Sequence, residues 1–173
     1  MSEFFQSIAF PWVVGEEGGF QNDPSDKGNW TGGAVGVGEL KGTKYGISAA
    51  SFPSVDIANL TLEGAYPLAK SFYWDKFSGD LLPQSVALAV FDFGFNAGIH
   101  ESVVCLQRAL GITTDGVVGP ETVQWANSAN PGVLIQEFTM QRIKAYQQMP
   151  EYPQDGAGWV NRANATCHYA MGF

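Results

Sequence analysis

The chain has 173 residues, with 9 Lys and Arg against 17 Asp and Glu, for a formal net charge of −8. Apolar residues make up 45%, enough for a packed core, so a disordered chain is excluded. The acid excess excludes a nucleic-acid binder, which needs clustered cations to meet phosphate, and the length fits one domain or one domain with a small appended lobe.

Phe4, Phe5, Ile8, Trp12 and Val13 recur at helical spacing, which predicts a helix from Ser2 to Glu17 with a kink or restart at Pro11. Gly18-Gly19 then stops it. This apolar stretch is shorter than the roughly 18 residues of a membrane span. It also lacks the basic start and small-residue cleavage site of a signal peptide. Neither stable membrane insertion nor signal-directed export is therefore expected. Glycines concentrate between Gly15 and Gly46, where Asn22-Asp23-Pro24, Asp26-Lys27-Gly28-Asn29 and Gly32-Gly33 are turn formers. A small hairpin or irregular β-flap is expected from Phe20 to Tyr45, with Ala34-Val35-Gly36-Val37 as one of its short pieces.

Helices follow. Thr61 is a candidate N-cap with Glu63 in the first turn, and the helix runs toward Phe77 with Pro67 as a kink. Pro83 opens the next, over 84–97, which is apolar almost all round and so reads as the central buried helix, ended by Gly98. Further helices are expected over Glu101–Leu110, from Pro120, from Pro131 to about Met149, and over Trp159–Ala170. Between the last two, Pro150 to Gly156 reads as a loop. The expected fold class is mainly α, with one small β element near the N-terminus.

Chemistry-bearing residues gather in one place: Glu16, Glu17, Asp23 and Asp26 flank the turn glycines. A carboxyl at the end of an apolar helix is desolvated and meets the negative end of the helix dipole, and both raise its pKa. A carboxyl in a polar loop stays ionised. One protonated and one ionised carboxyl suit acid/base work of the kind glycoside cleavage needs. On spacing alone, the same residues also read as an ordinary helix end and a solvated turn.

The run Glu17-Gly18-Gly19-Phe20-Gln21-Asn22-Asp23-Pro24-Ser25-Asp26-Lys27-Gly28 resembles the signature of glycoside hydrolase family 108, phage-type N-acetylmuramidases of the lysozyme superfamily. Thr43-Lys44-Tyr45-Gly46-Ile47-Ser48, Tyr73-Trp74, Leu82-Pro83, Val90-Phe91-Asp92 and Asn96-Ala97-Gly98 are similar to its later segments. Leu106 to Gly111, Asp115-Gly116, Gly119 to Thr122 and Gly158-Trp159 through Arg162 resemble the peptidoglycan-binding region that accompanies it. The resemblance runs in order along nearly the whole chain. It implies a lysozyme-like helical fold, with residues 1–100 catalytic and 101–173 a helical peptidoglycan-binding region. It further implies cleavage of the β-1,4 bond between N-acetylmuramic acid and N-acetylglucosamine.

The resemblance makes Glu17 the proton donor and Asp26 its partner, with eight residues between them as in phage lysozymes. A Thr completes that set. Thr31 has the sequence distance, but Thr43 has the Tyr45-Gly46-Ile47 neighbours and is preferred. The sugar chain is expected in a groove between flap and helical body, with Asp26 and Thr43 holding a water for inversion. Asp92 and Asn96, four apart on one helix face, read as a groove wall for an N-acetyl group or as satisfied polar groups in the core. Tyr45 is a candidate stacking surface for a sugar; Trp30 and Trp74 fit stacking or core.

No metal or cofactor is expected. His100 and His168 lack ligand-spaced partners, Asp115-Gly116 lacks the further ligands of a calcium loop, and nucleotide fingerprints are absent. Cys105 and Cys167 read as free thiols or a single bridge. Lys41, Lys44, Arg108, Arg142, Lys144 and Arg162 are candidates for one basic face. The expected setting is a monomeric phage or prophage endolysin, made in the bacterial cytoplasm, released by a holin-type route, and acting on peptidoglycan glycan strands. The rivals are a lytic transglycosylase and a non-catalytic wall-binding or secretion-accessory protein.

Overall fold

The structure, a computed structural model, describes residues 2–15 and 19–173. Packing divides them into two units: Gln6–Phe72, and Tyr73–Phe173 together with the N-terminal residues up to Phe5.

The chain begins as α1 (Ser2–Phe4), widens into a π-turn (Phe5–Ala9) and restarts as α2 (Phe10–Val14). Pro11 lies in the first turn of α2, where its missing N–H breaks no helical bond. The helix ends at Val14 and not, as expected, at Glu17. Gly15 takes φ +61° and donates its N–H to the Pro11 carbonyl at 2.9 Å. It is the first residue after the apolar run free to leave the helix at positive φ.

The glycine-rich stretch holds a 3-10 turn (Lys27–Asn29) and isolated bridges joining Gln21 to Thr43 and Trp30 to Leu40. A two-stranded antiparallel sheet follows: β1 (Thr43–Lys44) and β2 (Ile47–Ser48), in register Thr43↔Ser48 and Lys44↔Ile47. The small hairpin is therefore present, but its ladder forms after the flap and not at Ala34–Val37, where Val35 and Val37 are exposed. Tyr45 and Gly46 explain the site. Both have positive φ (51° and 69°), as a two-residue turn matched to strand twist requires. α3 (Leu62–Ala69) starts where the Thr61 hydroxyl accepts the Gly64 N–H at 3.1 Å. Beyond Pro67 it widens into a second π-turn (Lys70–Trp74), followed by 3-10 turns Asp75–Phe77 and Gly79–Leu81.

In the second unit, α4 (Gln84–Ala97) is the centre, buried from Ser85 to Gly94. α5 (Ile99–Leu110), α7 (Pro131–Tyr146) and α8 (Tyr152–Ala170) pack around it, and α6 (Pro120–Ser128) leans on α5 and α7. Fully burying Leu88, Phe91 and Phe93 stabilises by roughly 1.5–3 kcal/mol each. An aromatic cluster continues this core: Phe5 meets Trp74 at 4.9 Å and Phe91 at 5.1 Å between ring centroids. The mainly α class is as expected, but α8 starts at Tyr152, inside the segment read as a loop. Pro153 falls in its first turn, where proline is tolerated, and Gly156 is buried so closely against the Tyr152 ring that a Cβ would collide with it.

Candidate active site

Asp26 ends the polar loop and caps the 3-10 turn, its Oδ1 accepting the Gly28 N–H at 2.8 Å. Its Oδ2 accepts Gln21 Nε2 at 3.1 Å. The same Gln21 amide donates to Asn29 Oδ1 at 3.1 Å, and Asn29 Nδ2 donates back to Gln21 Oε1 at 2.8 Å and to the Asp23 carbonyl at 2.9 Å. Thr43 Oγ1 donates to Asn29 Oδ1 at 2.7 Å. One hydrogen-bonded chain thus runs Asp26–Gln21–Asn29–Thr43. Asn29 is fully buried at its centre, while Asp26 stays exposed.

The chain fixes directions as well as positions. Thr43 spends its proton on Asn29, so toward a ligand its oxygen is an acceptor. Asp26 is an acceptor too. Gly42 supports the arrangement with φ +81°, tucked against the Gln21 carbonyl where a Cβ would collide. The structure brings Asp26 and Thr43 together in this network and leaves Thr31 outside it. Thr31 Oγ1 instead accepts the Glu39 N–H at 2.9 Å inside the flap. Tyr45 stands on the β1–β2 turn at φ 51°, uncommon for a bulky residue, with Lys44 Nζ 5.4 Å from its ring centroid. Gln21 and Asn29 were missed by sequence reading. Both stand in turn motifs, and nothing local shows that they join residues up to 14 positions apart.

Glu17, the expected acid, lies outside the described residues, as does its neighbour Glu16. Asp23 is not a rival proton donor: the Ser25 backbone N–H and then its hydroxyl hold that carboxyl below the ordinary Asp value.

Asp92 and Asn96 belong to α4 of the other unit, and they differ. Asp92 is fully buried. Its Oδ1 accepts Arg162 Nη2 at 2.7 Å and Nε at 3.0 Å, and Arg142 Nη1 lies 2.7 Å from Oδ2, off the line of a hydrogen bond. This carboxylate offers no open acceptor to a sugar. Arg142 is 1% exposed, donates Nε to the Tyr146 hydroxyl at 2.8 Å, and leaves Nη2 buried without an acceptor. Asn96 is exposed. Its Nδ2 donates to the Asp92 carbonyl at 2.7 Å, leaving its Oδ1 face to a depression shared with Trp159 and Arg162.

The other candidates resolve structurally. Trp74 is a core residue, its Nε1 donating to Asp80 Oδ1 at 2.8 Å, and Trp30 Nε1 donates to the Pro24 carbonyl at 2.9 Å. Both cysteines are free thiols. Burial first, and then the Glu101 charge, push the Cys105 thiol up to about 12, so it is protonated and inert at neutral pH. No cluster suited to a metal ion occurs among the described residues. No helix among them is long and apolar enough to cross a membrane.

No curated protein matches the chain. The solved structure of Brucella abortus SagA superposes with a TM-score of 0.80 at 26% identity, covering 97% of this chain and 94% of that one. A model described as Predicted Peptidoglycan domain matches residues 101–164. The Glycosyl hydrolase 108 model matches residues 10–98, a span that contains the whole Asp26–Gln21–Asn29–Thr43 network and just over half of the chain. The chain belongs to glycosyl hydrolase family 108, and so to the glycosidases that act on peptidoglycan.

Proposed function

We propose that the chain hydrolyses the β-1,4 bond between N-acetylmuramic acid and N-acetylglucosamine. Glu17 is the general acid that protonates the bridging oxygen as that bond breaks. Asp26 and Thr43 accept the two hydrogens of one water, turning its lone pair toward the sugar, and Asp26 takes the proton as the new bond forms. The observation that carries this reading is the Asp26–Gln21–Asn29–Thr43 chain, which presents two acceptors and no donor. The cell-biological setting is phage or prophage lysis, in which a protein made in the bacterial cytoplasm reaches the wall through a holin-type pore. Family membership and the peptidoglycan-domain match support peptidoglycan as the substrate of this reading.

Digestion of purified peptidoglycan followed by mass spectrometry tests the chemistry. New reducing-end muramic acid is expected; 1,6-anhydro-muramic acid would instead mark a lytic transglycosylase, and no product a wall-binding protein. Replacing Glu17→Gln is expected to lower the rate by roughly 10²–10⁴-fold, the usual contribution of a general acid. Near-normal cleavage by that variant removes Glu17 from the mechanism.

A further inference from the structure

Within the unit built on Tyr73–Phe173, two depressions share Ala97 and Met149 as a common wall. The smaller, about 180 Å³, is faced by Asn96, Tyr146, Trp159 and Arg162. The larger, about 780 Å³, runs between α5 and α7 past Arg108, Lys144, Gln141 and Gln148. Together they make one trough with an aromatic end and a long polar end.

Its charge is unlike that of the sequence around it. From Tyr73 onward the chain holds nine Asp and Glu but only five Lys and Arg. Three of those five, Arg108, Lys144 and Arg162, line the trough, and a fourth, Arg142, bonds the Tyr146 hydroxyl on its wall. The lining offers one carboxylate, Glu101, 3.4 Å from Arg108, and buried Asp92 behind the wall pairs with Arg142 and Arg162, so the open positive charge lies at the Arg108–Lys144 end. Lys144 has no ion-pair partner among the described residues. At the aromatic end, the Trp159 ring lies 5.2 Å from Tyr146, giving an apolar face beside the half-exposed Arg162. The glutamine amides add donors and acceptors suited to a peptide backbone.

An elongated ligand with carboxylates along it matches this layout, and a bare neutral glycan does not. We propose that the trough binds the peptide stem of peptidoglycan. The sugar-proximal end lies against Trp159 and Arg162, and the free carboxylates of the stem lie on Arg108 and Lys144. The proposal rests on the reading that peptidoglycan is the substrate and adds which part of it this unit grips.

Calorimetric titration of the parent and of Glu17→Gln tests it, with probes that end in reducing muramic acid and so hold no bond of the kind the enzyme is proposed to cut. The probes are a disaccharide-tetrapeptide muropeptide with free stem carboxylates and the same compound with those carboxylates amidated. Amidation is expected to weaken binding about two- to five-fold per lost contact, the scale of exposed charge pairs. Arg108→Gln and Lys144→Gln each lose one such contact with the free-acid probe, amidation then costs either variant only the contact that remains, and in the double variant amidation changes little. Lys76→Gln, which removes the same charge away from the trough, binds like its parent. Equal affinity for the two probes, no binding of either, or an equal loss in Lys76→Gln overturns the proposal. If Glu17→Gln still cleaves peptidoglycan, the assignment of the acid falls, while titration of the intact, amidated and variant pairs on a non-cleavable stem peptide still decides the trough.

Discussion

Asp92 shows how one side chain's surroundings decide what it can do. Its position four residues before Asn96 left two readings open, a groove wall for an N-acetyl group or satisfied polar groups in the core. Burial separates them: Asn96 faces a depression, while Asp92 is the anion between Arg142 and Arg162. Removing the anion leaves the Arg142 charge buried, and such a break costs about 3–5 kcal/mol. Arg162 is 42% exposed and recovers hydration, so it adds little. Asp92→Asn is therefore expected to lower the urea midpoint markedly, with any loss of cleavage following the loss of fold. An unchanged midpoint together with lost cleavage would instead make Asp92 a ligand contact. Asn29 illustrates the opposite limit of sequence reading. It is visible as a turn residue, but its buried, bidentate role exists only once Gln21 and Thr43 are brought to it by the fold.

At the scale of elements, α4 was legible because its apolar residues encircle the helix, leaving no exposed face to reconcile. The start of α8 was not, because Pro153 and Gly156 are breakers by local propensity. Both are accommodated by place: the proline in a first turn, the glycine under a ring. The connection from α5 to α6 bends at Asp115-Gly116, and what anchors it was not legible in the sequence. Buried Gln107 donates to Asp115 Oδ1 at 2.6 Å and accepts the Gly116 N–H at 2.9 Å, clamping the turn to α5. The Gln107 amide and then the Val117 N–H hold the Asp115 carboxyl below its ordinary value. The native state thus binds fewer protons than the unfolded chain around that pH. Asp115 stabilises fully above the unfolded carboxyl pKa, and the benefit fades as pH falls through the lowered native value. The Tm gap between the parent and Asp115→Ala is expected to be widest above about pH 5 and to close toward about pH 2. A gap independent of pH would assign the clamp to shape alone.

For the whole molecule, sequence similarity and packing divide the chain differently. The family models change over between residues 98 and 101. Packing changes over between Phe72 and Tyr73, because α4 buries its surface on α5, α7 and α8 and so joins the helices that follow it in sequence. Pattern along a chain records ancestry and local periodicity; it does not record which neighbours a fully apolar helix selects. Charge has a similar two-level character. A net −8 opposes approach to a polymer that itself carries carboxylates, whereas the trough cations attract the same groups at contact. Salt separates these, because screening reaches about 30 Å at 0.01 M and about 8 Å at 0.15 M, so long-range repulsion fades before close contacts do. Initial cleavage rates at low peptidoglycan concentration are therefore expected to rise as salt increases from about 0.01 to 0.15 M, and to fall again toward about 1 M as the contacts weaken. With carboxyl-amidated peptidoglycan both limbs flatten. A rate that falls from the lowest salt onward would mean that the trough cations outweigh the net charge even at long range, and a flat profile on native peptidoglycan would mean that neither acts.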